Sequence, residues 1–200
     1  NWNGKTVFVD PVGGAALFKP YGVPDLVLVT DIHGDHFNKG TLEAIVKDKT
    51  VIITPEAVAA LAPEGLNNRI TTLANGKLVE KLGVKIEAVP MYNLTAARLR
   101  FHNKGRGNGY VMTFGGKRVY VSGDTEDIPE MRALKNIDAA FVCMNLPYTM
   151  TPEQAADAVR EFKPKVVYPY HYREQPIDAF INALADESID IRLHDWNPPA

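Results

Sequence analysis

Apolar residues along this chain recur at two periods. Short runs rich in β-branched side chains read as strands over 5–9, 26–29, 51–53, 84–89, 138–144, 165–168 and 189–193. Residues 109–114 and 117–122 read as a hairpin, because Gly115-Gly116 suits a two-residue turn that needs positive φ. A longer period appears after Thr151-Pro152-Glu153-Gln154. Thr151 is a cap, Pro152 fits the first helical position, and Gln154 can reach back to the cap. Ala155, Ala156, Val159 and Phe162 then form an apolar stripe, and Lys163-Pro164 ends the helix. A second helix is predicted from Pro176 to about Ala185 with Phe180, Ile181 and Leu184 inward, and shorter ones over 41–47, 55–61 and 129–134. Strands dominate early and strand–helix alternation comes late. That order fits two sheets with helices outside them better than one wound sheet.

Composition narrows the class. Two hundred residues are enough for one large core, and the chain reads as a single domain over 1–200. A hydrophobic content of 46% and a charged content of 23% are ordinary for a globular protein, so disorder is excluded. A net charge of −2 gives no bulk attraction for nucleic acid or membrane, and neither is expected as a partner. No apolar run approaches the ~18 residues of a membrane span. The sole cysteine, Cys143, cannot form an intrachain disulfide, and its apolar neighbours mark it as a small buried hydrophobe. No signal peptide is visible, and the chain opens on a strand already under way. Compartment and oligomeric state stay open.

The chemistry lies where strands end. Leu26-Val27-Leu28-Val29 runs into Thr30-Asp31-Ile32-His33-Gly34-Asp35-His36. Carboxylates and imidazoles at that density after a buried run are costly unless paired or bound to metal. Zinc takes such mixed nitrogen and oxygen ligands. Val119-Tyr120-Val121 likewise leads to Ser122-Gly123-Asp124-Thr125, and Val166-Val167-Tyr168 to Pro169-Tyr170-His171. His102 follows the strand-like Arg98-Leu99-Arg100-Phe101.

Residues 30–36 resemble the Thr-His-x-His-x-Asp-His signature of the metallo-β-lactamase superfamily. Gly123-Asp124-Thr125 resembles its bridging-aspartate motif, and His171 its last histidine. Val89-Pro90-Met91-Tyr92-Asn93 and Gly109-Tyr110-Val111 look like the branch of uncharacterised metal-dependent hydrolases related to ascorbate-6-phosphate lactonase. The resemblance covers nearly the whole chain and lacks only the first strand. It implies an αββα four-layer sandwich with a two-metal site at the sheet edge. Asp35, His36 and His171 would form one position. His33 would serve the other, with Asp124 bridging both and Asp35 or another carboxylate orienting a water. Zinc would be the metal, with manganese or iron as alternatives. A metal-activated water would cleave an ester, lactone or phosphodiester in a small-molecule substrate. A degenerate, non-enzymatic member of the fold is the rival reading.

Two departures from that pattern matter. The mid-chain histidine falls to Asn93 or His102, and His102 is favoured because zinc prefers imidazole to amide oxygen. The first histidine is Asp31. As a ligand, Asp31 would lower the charge of two divalent ions and two aspartates from two positive to one, so Asp31→His should favour zinc. Alternatively Asp31 orients His33, or the first position is weakened.

Other residues have quieter readings. Arg98, Arg100, His102, Lys104 and Arg106 alternate, and in a strand all five would share a face. That face is either a groove for an anionic substrate or a charged, solvated edge. Residues 105–109 read as a loop rather than an anion cradle, because no helix follows. Tyr148, Tyr168, Tyr170 and Tyr172 surround Asn145 and His171 in sequence; one of them could orient substrate or donate to a developing oxyanion, and packing is the plainer reading of each. His194 reads as structural, and Asp10-Pro11 as a turn or a carboxylate behind the ligands.

Overall fold

In the computed structural model, which describes residues 1–196, the strands form two sheets. The first is β1 (Val7–Val9), β2 (Leu26–Leu28), β3 (Val51–Thr54) and β4 (Ile70–Thr72), in that order and all parallel. The second contains β5 (Leu78–Lys81), β6 (Val84–Met91), β7 (Gly107–Phe114), β8 (Lys117–Val121), β9 (Ala139–Cys143), β10 (Val166–Tyr170) and β11 (Asp190–Ile191). They run in sequence order across the sheet, antiparallel from β5 to β8 and parallel from β8 to β11.

Period-two alternation builds the layers. Leu26 and Leu28 of β2 point between the sheets, where they join Ile86, Tyr110, Met112 and Val121. Val27 and Val29 point the other way, toward Leu42 and Ile45 of α1 (Lys39–Ile45) and Val58 of α2 (Glu56–Ala59). On the second sheet Tyr120, Val142 and Val167 turn outward. They meet Met131 of α3 (Pro129–Arg132), Val159 and Phe162 of α4 (Pro152–Phe162), and Phe180 of α5 (Ile177–Ala183). The result is the expected αββα sandwich. Each fully buried Leu, Ile or Val contributes about 1.5–3 kcal/mol, and a one-residue slip of β2 would turn both of its faces the wrong way.

Local signals match these elements. The Thr151 side chain accepts from the Gln154 backbone while Gln154 accepts from the Thr151 backbone, and Lys163 ends α4 with φ 45°. Gly115 and Gly116 carry φ 51° and 85° in the hairpin turn. β4 and β5 are additions to the sequence reading. The first has three residues, two of them threonines, and the second is a short edge strand with two of its four residues exposed. Residues 98–101 are a correction. They form no strand but a 3-10 turn, Ala96–Arg98, followed by further turns. Side chains hold this backbone instead of a ladder. Asn93 Nδ2 donates to the Arg98 carbonyl at 2.9 Å, and Glu126 Oε2 accepts from the Leu94 and Thr95 backbone amides at 2.7 Å each.

Topology sends the chemistry to one edge. β1 and β2 are parallel, so Asp10 and Thr30 leave the sheet side by side. β8, β9 and β10 are parallel too, so Asp124, Asn145 and His171 emerge at one end. Antiparallel β6 ends and β7 begins at that same end, which brings Asn93 and Arg106 to it. The carboxyl ends of strands are the usual place for a site in such a sheet.

Candidate metal centre

Backbone shape sets the ligand-bearing turns. Gly123 has φ 61°, and a Cβ there would lie 2.5 Å from Met91 Sδ. Only glycine therefore lets Asp124 approach the Thr30 loop so closely. Asp10 and His171 also adopt left-handed backbone, with φ 49° and 50°. That turn stops each strand abruptly and swings the side chain across its end.

Two groups of ligand atoms result. Asp31, His33 and His102 each offer one atom within 4.8 Å of the others, and Asp35, His36 and His171 do the same. Asp124 lies between the groups. Its Oδ2 is 3.4 Å from His36 Nε2 and 3.5 Å from His102 Nε2, and its Oδ1 is 3.2 Å from His171 Nδ1. All seven residues read from the sequence thus converge. Of the two mid-chain residues, His102 points into the cluster. The amide nitrogen of Asn93 instead donates to the carbonyls of Arg98 and Tyr148.

The donor set fits a divalent metal. Two atoms held about 2.0–2.1 Å from one tetrahedral ion are roughly 3.3–3.4 Å apart. The His36–Asp124 and His102–Asp124 separations of 3.4 and 3.5 Å, and the 3.1 Å between His171 Nε2 and Asp35 Oδ2, bracket that spacing. His36 Nε2 and both ring nitrogens of His102 are buried without a hydrogen-bond partner. An unanswered buried polar atom costs about 1–3 kcal/mol, and coordination would answer it.

Charges between the groups are tightly coupled. Burial alone would lower the pKa of His36, but Asp124 and Asp10 raise it well above the ordinary value. Burial also opposes protonation of His171, yet Asp124 and Asp35 lift it to about 9. Asp35 is held low, chiefly by His171, and Asp124 well below its usual range, burial being outweighed by His36 and His171. His102 goes the other way. Burial pushes it down and leaves it neutral, the form that binds metal.

Residues behind the candidate ligands hold them in place. Asp10 Oδ2 lies 2.8 Å from His36 Nδ1, so Nε2 faces the cluster. The backbone amide and hydroxyl of Thr30 donate to Asp10 at 2.7 and 2.6 Å. Glu126 was missed from sequence. It is buried and also binds Arg98 at 2.8 Å, tying down the loop that carries His102. Its only signal was its place two residues after Asp124.

The basic row is a correction. Its members share no face. Arg98 binds Glu126, Lys104 binds Glu130 at 2.6 Å, Arg100 stacks 4.8 Å over Phe101, and Arg106 binds Asp31. Neither the groove nor the charged edge exists, because the segment is not a strand. Among the tyrosines, Tyr148 lines the cavity at the cluster, while Tyr168 stacks on Phe141 at 4.9 Å. Cys143 is buried, and burial pushes its thiol up to about 12, so it is no nucleophile. His194 lies against Trp196 at 5.4 Å and belongs to neither ligand group.

A cavity of about 400 Å³ opens onto His33, Asp35, His102 and Asp124. Phe101, Asn145, Tyr148 and Arg173 complete its lining. Arg173 donates to Asp35 at 3.2 Å and lies 5.8 Å over the Tyr148 ring. Among the described residues no helix is long and apolar enough to cross a membrane.

Residues 1–171 match the beta-lactamase superfamily domain. A UPF0173 metal-dependent hydrolase of Symbiobacterium thermophilum is 32% identical over 164 residues, covering 77% of this chain and 68% of its own. A solved structure of a candidate metal-dependent hydrolase from Parabacteroides distasonis superposes with TM-score 0.89 at 41% identity, over 97% of this chain and 86% of that one. A metallo hydrolase from Ignicoccus hospitalis shares the fold at 21% identity with TM-score 0.78, over 98% and 89% of the two chains.

Proposed function

Since this chain belongs to the beta-lactamase superfamily and is a metal-dependent hydrolase, we propose that it cleaves an ester, lactone or phosphodiester bond of a small-molecule substrate at the Asp35–Asp124 cluster. The observation that carries this reading is one buried carboxylate, Asp124, that lies within 3.5 Å of imidazoles from both candidate ligand groups and lines an open cavity. Asp31, His33, His102 and Asp124 would hold one ion, and Asp35, His36, His171 and Asp124 the other. Zinc suits these donors, with manganese and iron as its competitors. A divalent ion there would supply Lewis acidity, activating a water and polarising the bond to be cleaved.

The chain's own groups do the rest. Asp35 is half-exposed, faces the cavity and is steadied by His171 and Arg173. It, or another carboxylate of the cluster, would orient the water. The Asn145 amide and Tyr148 hydroxyl line the same cavity and can donate to oxygen on which charge develops. Arg173 at the lining supports a substrate carrying an anionic group.

Elemental analysis of the purified chain, followed by turnover of bis-p-nitrophenyl phosphate and a panel of lactones and aryl esters, tests the reading. Two metal equivalents and metal-dependent turnover are expected. No turnover of any of the three bond classes by the fully metal-loaded chain would sink it.

A further inference from the structure

Asp31 has a partner that the sequence conceals. The carboxylate is wholly buried and receives a two-pronged guanidinium contact from Arg106, Nε to Oδ1 at 3.1 Å and Nη2 to Oδ2 at 2.9 Å. The same Oδ2 lies 2.8 Å from His33 Nδ1 and 3.8 Å from His102 Nε2. Arg106 is itself fixed. It sits between Gly105, at φ 90°, and the first residue of β7, and it also donates to the Phe101 carbonyl. The guanidinium cannot lose its proton, and its planar fork fixes the carboxylate plane.

We propose that Arg106 is a charge-compensating positioning residue: it cancels the charge of Asp31, so that the pair acts toward a metal beside His33 and His102 as one neutral ligand would. The inference rests on the reading above that the cluster holds two ions. Two divalent ions bring four positive charges, and Asp31, Asp35 and Asp124 bring three negative, leaving one positive. Arg106 restores two, the balance of a site with two carboxylates and otherwise neutral ligands. Each carboxylate oxygen has two lone-pair directions, so Oδ2 can accept from Arg106 and still face a cation when His33 Nδ1, 2.8 Å away, faces that cation too instead of donating to Oδ2. Asp31 and Arg106 therefore function only together. On sequence alone Asp31→His should favour zinc. In this site it leaves an uncompensated guanidinium beside a divalent ion, and it should do the reverse.

The test is a cycle of zinc titrations on the metal-free protein, read by metal stoichiometry and by dissociation constants. The wild-type chain should bind two equivalents. Asp31→His should weaken the looser equivalent at least tenfold and move the tighter one less than threefold. The Asp31→His/Arg106→Gln double variant should bring the looser equivalent back to within threefold of wild type. A merely structural Arg106 would not rescue in this way, since removing it would add to the damage. If histidine does not fit, the near-isosteric Asp31→Asn and Asp31→Asn/Arg106→Gln pair decides. The double variant should then recover at least half of the lost occupancy. Undiminished binding by Asp31→His, or a double variant no better than the single, overturns the inference while leaving the metal reading intact. One equivalent in wild type that becomes two in Arg106→Gln also overturns it, because the guanidinium would then replace an ion. A wild-type chain that takes up no zinc removes the metal reading and this inference together.

Discussion

The two ligand groups on either side of Asp124 solve the same electrostatic problem differently. Asp35, His36 and His171 form the open group. Their carboxylate is half-exposed, and two of them are paired with neighbouring carboxylates, Asp10 and Asp124. Asp31, His33 and His102 form the closed group. Asp31 and His102 are buried, and a permanently charged arginine balances their carboxylate. An open carboxylate can reach water and substrate, which a buried one cannot. A buried carboxylate locked to a guanidinium cannot exchange protons near neutral pH, which suits Asp31 to holding and not to reacting. Burial and choice of partner thus separate two aspartates four residues apart in one loop.

The most severe way to break this comparison is to remove what the two groups share. Asp124→Ala should lower turnover by about 10³-fold or more, since a lost ligand and its charge are worth several kcal/mol. It should also loosen both zinc equivalents. Elemental analysis beside kinetics checks it, and retention of both ions would mean that Asp124 does not bridge.

A one-sided lesion should come next. Asp10→Ala removes the acceptor that aims His36, and losses behind a ligand typically run about 10–100-fold in metal affinity or activity. Only the open group should suffer. The isotherm should show one equivalent weakened and the other unchanged. Equal weakening of both would show that the groups are not separable.

The smallest effect concerns the loop that carries His102. Burial tends to raise the pKa of Glu126, but Arg98 and the Thr95 and Leu94 amides lower it below its ordinary 4.5. A group with a lowered folded pKa stabilises above its unfolded value and loses that contribution as pH falls through the folded one. The Glu126 contribution should therefore be full above about pH 4.5 and fade below it. Glu126→Gln should cost about 1–2 kcal/mol at neutral pH and flatten this acid dependence. Thermal melts of both forms from pH 7 to pH 3 measure it. Parallel melting curves would place the loop's anchor elsewhere.

Much of the fold was legible because it is written in local periods. The 26–29 run, the Gly115-Gly116 turn and the Thr151 cap each carry their own instructions, and neighbouring residues suffice to read them. β4 and β5 were not legible, since short, half-polar edge strands bury too little to leave a pattern. The alternating row from Arg98 to Arg106 misled for the opposite reason. It has a strand's period, yet Asn93 captures the Arg98 carbonyl at its start and Glu126 the amides of Leu94 and Thr95 just before it.

The site divides in the same way. Residue type and position after a strand marked Asp31, His33, Asp35, His36, Asp124 and His171 as candidate ligands, because scaffolds present imidazoles and carboxylates at strand ends, whereas His102 was marked by a strand-like run that folds as turns. Sequence could not say which charge answers which. Arg106 is 75 residues from Asp31, Glu126 is 28 from Arg98, and Arg173 is 138 from Asp35. Those pairings arise only when parallel and antiparallel strands deliver their ends to one edge. The chain alone determined the chemical inventory and the layers that bury it. The tertiary structure decided which aspartate is open and which is closed, because burial and the nearest opposite charge are properties of the assembled edge and not of any segment in it.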